Sequence, residues 1–238
     1  MSAESTLTFI GGAPKWPRLS KSKIATFEHC ARRLWLSVYR RDLAKIDPPT
    51  ELLFAIGHRF GELVREQVPN GILLDTDPRR VDDAIAETKA ILSGPWNRPI
   101  FEAALQHEDV IVRPDVLQPD GWGGWRLIEA KSSTAVRNHH VRDAATQVWV
   151  ARESGLCISS VIIRHARRRL TSPFARALTA PTVDVDVTSE IRNIIRSRSR
   201  VAAAAREVIR GPEPQRAVGA HCTYPFRCEF RDHCSQQA

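Results

Sequence analysis

The spacing of apolar and polar positions divides the chain into a helical first part and a strand-rich middle. Between Ser20 and Tyr39 the apolar residues Ile24, Phe27, Leu34, Leu36 and Val38 recur among basic ones, which predicts a helix containing Cys30. Asp47-Pro48-Pro49-Thr50 breaks the chain and offers Thr50 as the N-cap of a second helix. Its apolar side is Leu52, Leu53, Ile56, Phe60, Leu63 and Val64, and Pro69-Asn70-Gly71 ends it. Gly57 and Gly61 lie one turn apart on that helix, where a backbone or ligand can approach closely. A short strand over 72–74 and a helix from Val81 to Leu92 follow. From Ile100 the period shortens, and Ile100–Leu105, Val110–Leu117 and Trp125–Ser132 predict a three-strand meander with turns at Gln118-Pro119-Asp120-Gly121 and Gly123-Gly124. A helix from His139 to Glu153, closed by Gly155, and a strand over Ile158–Ile163 complete an α/β pattern with a mixed sheet. The expected organisation is a loose arm at 1–18, a helical part at 19–98, a core at 99–185, and a basic helix with a cysteine-rich tail at 186–238.

Composition narrows this picture. A chain of 238 residues with 42% hydrophobic and 26% charged residues can bury a core and is neither fibrous nor disordered in type. No run of about 18 apolar residues is present, and the opening residues lack a signal-peptide pattern, so a soluble, cytoplasmic protein is expected. The net charge of +8 is concentrated: eleven arginines between Arg164 and Arg210 face four carboxylates. Arg167, Arg168 and Arg169 form one run, and Arg192, Arg196 and Arg200 repeat at helical spacing, a face suited to phosphates. Lysine is scarce, six residues against 29 arginines, and beyond Ile91 only Lys131 occurs. A position that resists so strong a preference for arginine calls for a chemical reason.

That lysine sits in Glu129-Ala130-Lys131, on the strand after Arg113-Pro114-Asp115. Thirteen residues separate Asp115 from Glu129, enough for a hairpin that brings the carboxylates together, and the spacing of two places Glu129 and Lys131 on one strand face. Paired carboxylates beside a lysine suit metal-assisted phosphodiester hydrolysis: the carboxylates hold Mg²⁺ or Mn²⁺, and the lysine orients water or stabilises the pentacovalent state. Pro114-Asp115 with Glu129-x-Lys131 resembles the PD-(D/E)xK nuclease signature. Gln147, on the following helix, matches the glutamine of RecB-type members, although Ala151 stands where a tyrosine is common. Gly57-His58-Arg59-Phe60-Gly61-Glu62 matches the glycine-containing helix that carries a further metal ligand in that family. Gly61 holds the histidine's usual place, so Glu62, with His58 behind it, is the expected ligand.

Three cysteines close the chain, Cys222, Cys228 and Cys234, with five residues in each interval. Such a cluster points to a soft metal with one more ligand to be supplied, for which Cys30 is the candidate. Cys157, at the start of an apolar strand, reads as a buried thiol. A lone N-terminal cysteine before a basic Arg-x-x-Leu stretch, with three at the C-terminus, is similar to RecB-type iron-sulphur nucleases, including the CRISPR-associated adaptation exonuclease family and the AddB nuclease domain. The resemblance implies a PD-(D/E)xK restriction-endonuclease-like core with a [4Fe-4S] cluster on Cys30, Cys222, Cys228 and Cys234. Zinc, with His221 or His233 replacing a cysteine, is the alternative. It further implies a deoxyribonuclease acting on single-stranded ends, with Asp115, Glu129, Glu62 and the Ala130 carbonyl on the metal and Lys131 and Gln147 assisting. Partners would be DNA and proteins of repair, phage replication or CRISPR adaptation. The competing class is a nucleic-acid-binding adaptor with a vestigial nuclease site and a structural metal centre.

Overall fold

The computed structural model describes residues 16–237, apart from 75, 78, 95–96, 175–180 and 225. Most of the expected arm at 1–18 lies outside the described residues. In chain order the elements are β1 (Leu19–Ser20), α1 (Lys21–His29), α2 (Ala31–Tyr39), α3 (Pro48–Glu66), β2 (Ile72–Leu73), α4 (Val81–Ser93), β3 (Ile100–Phe101), β4 (Leu105–His107), β5 (Val110–Val112), β6 (Val116–Pro119), β7 (Trp125–Lys131), α5 (Asn138–Glu153), β8 (Ile158–Ala166), β9 (Thr182–Asp186), α6 (Ile191–Ile195), α7 (Arg198–Arg210) and α8 (Arg231–Gln236).

A six-stranded mixed sheet runs in the order β2-β3-β6-β7-β8-β9. β6 and β7 form an antiparallel hairpin, with Val116 opposite Ile128, whereas β8 returns parallel to β7 after the α5 crossover. Side chains alternate along β7. Leu127 packs with α5 and α7 in the larger core, and Ile128 packs on the other face against Phe60 and Val64 of α3. The sheet is thus covered on both faces, and Glu129 and Lys131 share the α5 side with Leu127.

Several expected elements are divided. The predicted helix over Ser20–Tyr39 breaks at Cys30, which is extended (φ −161°, ψ 120°), and Ser20 caps α1 by accepting the Lys23 N–H at 3.2 Å. α2 then serves two clusters: Leu34 joins Ile24 of α1 in the main core, whereas Leu36 joins Cys222, Cys228 and Phe230. The predicted strand Val110–Leu117 also splits. β5 pairs with β1 and β4 in a separate three-stranded sheet, and β6 pairs with β3 and β7. Arg113-Pro114-Asp115 spans the gap, where Pro114 has no N–H to give a ladder. Asp115 therefore sits just before a strand, not in the middle of one. Ile100–Leu105 divides in the same way, and Glu102 adopts φ +57° between β3 and β4.

The α3 N-cap is Asp47, which accepts the Thr50 N–H at 3.0 Å with Pro48 at the first helical position, so the helix begins before the expected Thr50. Leu52, Leu53 and Phe54, the first two expected on the buried side, are about half exposed (46%, 57% and 55%). Cys157 is exposed rather than a core thiol, because it precedes β8 instead of lying within it. The basic helix is two helices, α6 and α7, so Arg192, Arg196 and Arg200 do not share one continuous helical face. Part of the charge between Arg164 and Arg210 is structural: Arg198 is buried against Glu28 at 3.0 Å, Arg206 binds Asp109 at 2.6 Å, and Arg164 of β8 binds Asp184 at 2.6 Å. Arg167, Arg168, Arg169, Arg192, Arg196 and Arg200 are exposed. Among the described residues no helix is long and apolar enough to cross a membrane.

The Glu28–Arg198 pair joins α1 to the start of α7, with Arg198 only 4% exposed. Glu28→Ala should leave that guanidinium buried and unpaired and lower stability by about 3 kcal/mol. Urea denaturation read by circular dichroism checks this, with Glu190→Ala, at an exposed position, as the near-neutral control.

Candidate active site

Three elements converge on Glu129, which is 1% exposed. Its Oε1 accepts Lys21 Nζ, from the first turn of α1, at 2.6 Å and lies 2.9 Å from Lys131 Nζ. Gln147 Nε2, from α5, donates to Oε2. Lys131 Nζ also donates to Asp143 Oδ2 at 3.0 Å. The match is geometric: Glu129 and Lys131 are two apart on a strand, and Asp143 and Gln147 are four apart on a helix, so both pairs face one another across the layer. Asp115 joins from the neighbouring chain segment, its Oδ2 accepting the Ala130 N–H at 2.8 Å.

Electrostatics separates the two carboxylates. Burial would raise the Glu129 pKa, but the Lys131 and Lys21 ammoniums and the hydrogen bonds from Lys21 and Gln147 hold it well below the usual carboxylate range. Asp115 lacks an equivalent partner: burial first, and the Glu129 charge second, push it up to about 7. Burial opposes the charged form of Lys131, yet Glu129 and Asp143 keep its ammonium above the ordinary lysine range. His140, pushed down to about 3 by burial and by Lys131, is neutral, and its Nδ1 accepts the Arg137 N–H at 3.2 Å.

Asp115, Glu129 and Lys131 are therefore brought together as the spacing suggested, and Gln147, singled out by resemblance, lies with them. Glu62 and His58 are not part of the group: both are exposed, and Glu62 binds Arg59 at 2.8 Å. α3 buries Phe60 and Val64 against the sheet, which turns Gly61 toward the site; a Cβ there would lie 3.8 Å from Asp115 Oδ1. At this position beside the carboxylate the helix thus carries no side chain. Two contributors were missed. Lys21 left a sequence trace only in being one of two lysines at a helix start in an arginine-rich chain. Glu102 is held by Arg65 at 3.1 Å, and its charge acts on Asp115. Its signal, a non-glycine residue at positive φ, exists only in three dimensions.

A second group lies at the chain ends. Cys30, Cys222, Cys228 and Cys234 line one cavity with Leu36 and Phe230, and none is in a disulfide. Burial pushes the Cys228 thiol up to about 11 and raises that of Cys234, on which Cys222 and Cys30 also act. His221 Nε2 is 3.5 Å from Cys222 Sγ. Arg33 ties this module to α2 through Glu229 at 2.7 Å. Among the described residues, no three His, Cys, Asp or Glu side chains converge closely enough to hold a single metal ion, either here or at Glu129.

No family model and no curated protein matches the chain. Among solved structures, one titled "Crystal structure of SSO0001" is similar over 96% of this chain and 90% of that one, with 12% identity and a TM-score of 0.45. An alkaline exonuclease from Laribacter hongkongensis is similar over 81% and 92% of the two chains, with 10% identity and a TM-score of 0.32. Likenesses this distant do not define the activity of this chain.

The unrelieved Asp115 carboxyl has a measurable consequence. Its pKa is raised in the folded state, so the stability tied to its proton is complete below the ordinary aspartate value and is lost as pH rises through about 7. Asp115→Asn keeps an acceptor for Ala130 and removes the charge. It should raise the thermal midpoint at pH 8 by about 3 °C or more, at roughly 2–4 °C per kcal/mol for a chain of this size, and leave it unchanged near pH 4. Differential scanning calorimetry across that range is the measurement.

Proposed function

We propose that the protein is a metal-dependent deoxyribonuclease of the PD-(D/E)xK type that acts on single-stranded ends. The observation supporting this is the meeting, at one buried point, of Asp115, Glu129, Lys131 and Gln147 from separate segments. Two oxygens there suit a hard divalent cation. Gln147 Oε1 is buried with no hydrogen-bond partner among the described residues, and Asp115 Oδ1 is the oxygen not engaged by Ala130. These oxygens are of the kind Mg²⁺ or Mn²⁺ takes, and Asp115, Glu129 and the Ala130 carbonyl would be the holding groups, whereas the exposed Glu62 pairs with Arg59 instead. A bound divalent ion would supply an activated water and neutralise charge on the phosphate.

The roles of the chain's own groups follow from their contacts. Lys131, fixed between Glu129 and Asp143, keeps its proton at neutral pH, so it serves as a cation beside the phosphate and not as a base. Gln147 and Lys21 hold the Glu129 carboxylate in place. The four thiols fit a thiolate-bound metal in kind, and a [4Fe-4S] cluster on Cys30, Cys222, Cys228 and Cys234 would join the chain ends.

The adaptor reading is favoured by one observation, the absence of any side chain at Gly61 beside Asp115. Cleavage of labelled single-stranded DNA in Mn²⁺ separates the two. Lys131→Ala and Asp115→Ala should each lower the rate about 100-fold or more with the circular dichroism spectrum unchanged. Equal cleavage by both variants and the parent would leave only the adaptor. For the second centre, anaerobically purified protein should contain iron and absorb broadly in the visible, and Cys30→Ser should lose both properties. Iron-free protein with stoichiometric zinc would replace the cluster by a zinc site.

A further inference from the structure

A groove of about 710 Å³ begins at Lys21 and Asp143, beside the Glu129 cluster, and runs between α1 and the start of α5 to the cysteine module. Its ionic lining is asymmetric. The carboxylates are already neutralised, Glu28 by Arg198 and Asp143 by Lys131. Arg137 and Arg142 are exposed and make no ion pair among the described residues. They stand at the N-terminal end of the 16-residue α5, whose first turn contains no acidic residue, so its unpaired N–H groups add positive potential to that of the guanidiniums.

The far wall is aromatic. Tyr224 is 75% exposed, Phe54 55% and Phe226 45%. Phe226 is braced by the His29 ring, stacked at 5.0 Å, and by the Arg33 guanidinium, 4.9 Å from its centroid. The groove continues past Phe54 and Phe226 into a second hollow of about 360 Å³ beside Leu53 and Arg227. Exposed rings on one wall and unpaired cations on the other suit neither a folded core nor an apolar ligand, but they do suit a polyanion that carries flat apolar faces.

We propose that this groove binds one strand of DNA, with phosphates on Arg137, Arg142 and the α5 N-terminus and bases against Tyr224, Phe226 and Phe54, and that it leads the strand to Glu129 and Lys131. The proposal deepens the nuclease reading and rests on it for the direction of the strand. It moves the binding surface away from Arg167–Arg169 and from Arg192, Arg196 and Arg200, none of which lines the groove.

The test is fluorescence anisotropy of the full-length protein with labelled oligo-dT in EDTA, where nothing is cleaved. Arg137→Ala with Arg142→Ala should weaken binding at least tenfold. The same pair should reduce the slope of log affinity against log salt by about 1.4, the value for two contacts on a single strand. Tyr224→Ala with Phe54→Ala should weaken binding about tenfold with the salt slope unchanged. A control pair outside the groove, Arg80→Ala with Arg126→Ala, should stay within twofold. Oligo-dT should bind at least tenfold more tightly than a duplex of equal length. Unchanged affinity in both groove variants, an equal loss in the control pair, or preference for duplex would overturn the proposal. Parent protein that binds oligo-dT through the groove but cleaves no DNA in Mn²⁺ would support the groove and remove the nuclease reading, so the two fail separately.

Discussion

The carboxylate of Glu129 is the constraint on which this structure turns. A charge at 1% exposure persists only if cations and donors surround it, because an unpaired buried ion costs several kcal/mol. Its partners come from α1, from its own strand and from α5, so satisfying one side chain positions three elements. Lys21 thereby holds the start of α1 over the sheet, and Gln147 sets the rotation of α5. The same pairing leaves Asp115 short of cations. Two carboxylates in one pocket consequently occupy different electrostatic states, one a fixed anion and the other poised near neutrality.

A second constraint joins the chain ends. Arg32 binds Glu213 at 2.6 Å and Arg33 binds Glu229, while Trp35 Nε1 and the Tyr39 hydroxyl donate to the carbonyls of Gly211 and Ile209. Together with the four gathered thiols, these bonds hold the tail against α2. The tail in turn supplies Tyr224 and Phe226 to the wall of the groove that opens from the Glu129 cluster. The cysteine module is therefore placed to do more than close the fold: it carries part of the surface that faces the candidate active site.

How much of this could be read beforehand depended on the range of the interaction. Asp115, Glu129 and Lys131 were legible because a hairpin brings neighbours in sequence together and a strand has period two. Gln147 was legible through family resemblance. Lys21 was not, since it meets Glu129 across 108 residues and its own helix offers no reason for it to be buried. Glu62 and His58 failed in an instructive way. Helical spacing correctly placed them on one face, but which face α3 turns to the sheet was decided by Phe60 and Val64, and those residues put Gly61 beside Asp115. The expectation for Arg192, Arg196 and Arg200 failed because the helix is broken between Ile195 and Arg198.

The sequence by itself determined the succession of a helical first part and a strand-rich middle, the hairpin that presents Glu129 and Lys131, and the helix and strand that follow it, because these follow from local periodicity and turn-forming residues within short stretches of chain. Tertiary structure decided that Val110–Leu117 serves two sheets, that Cys30 leaves its helix to reach the tail, that Lys21 and Glu102 join the site, and that α3 sets a glycine, not Glu62, beside Asp115. Each of these is a choice of neighbour across the fold. It is made by the need to bury apolar surface and to pair buried charge, and no local pattern encodes it.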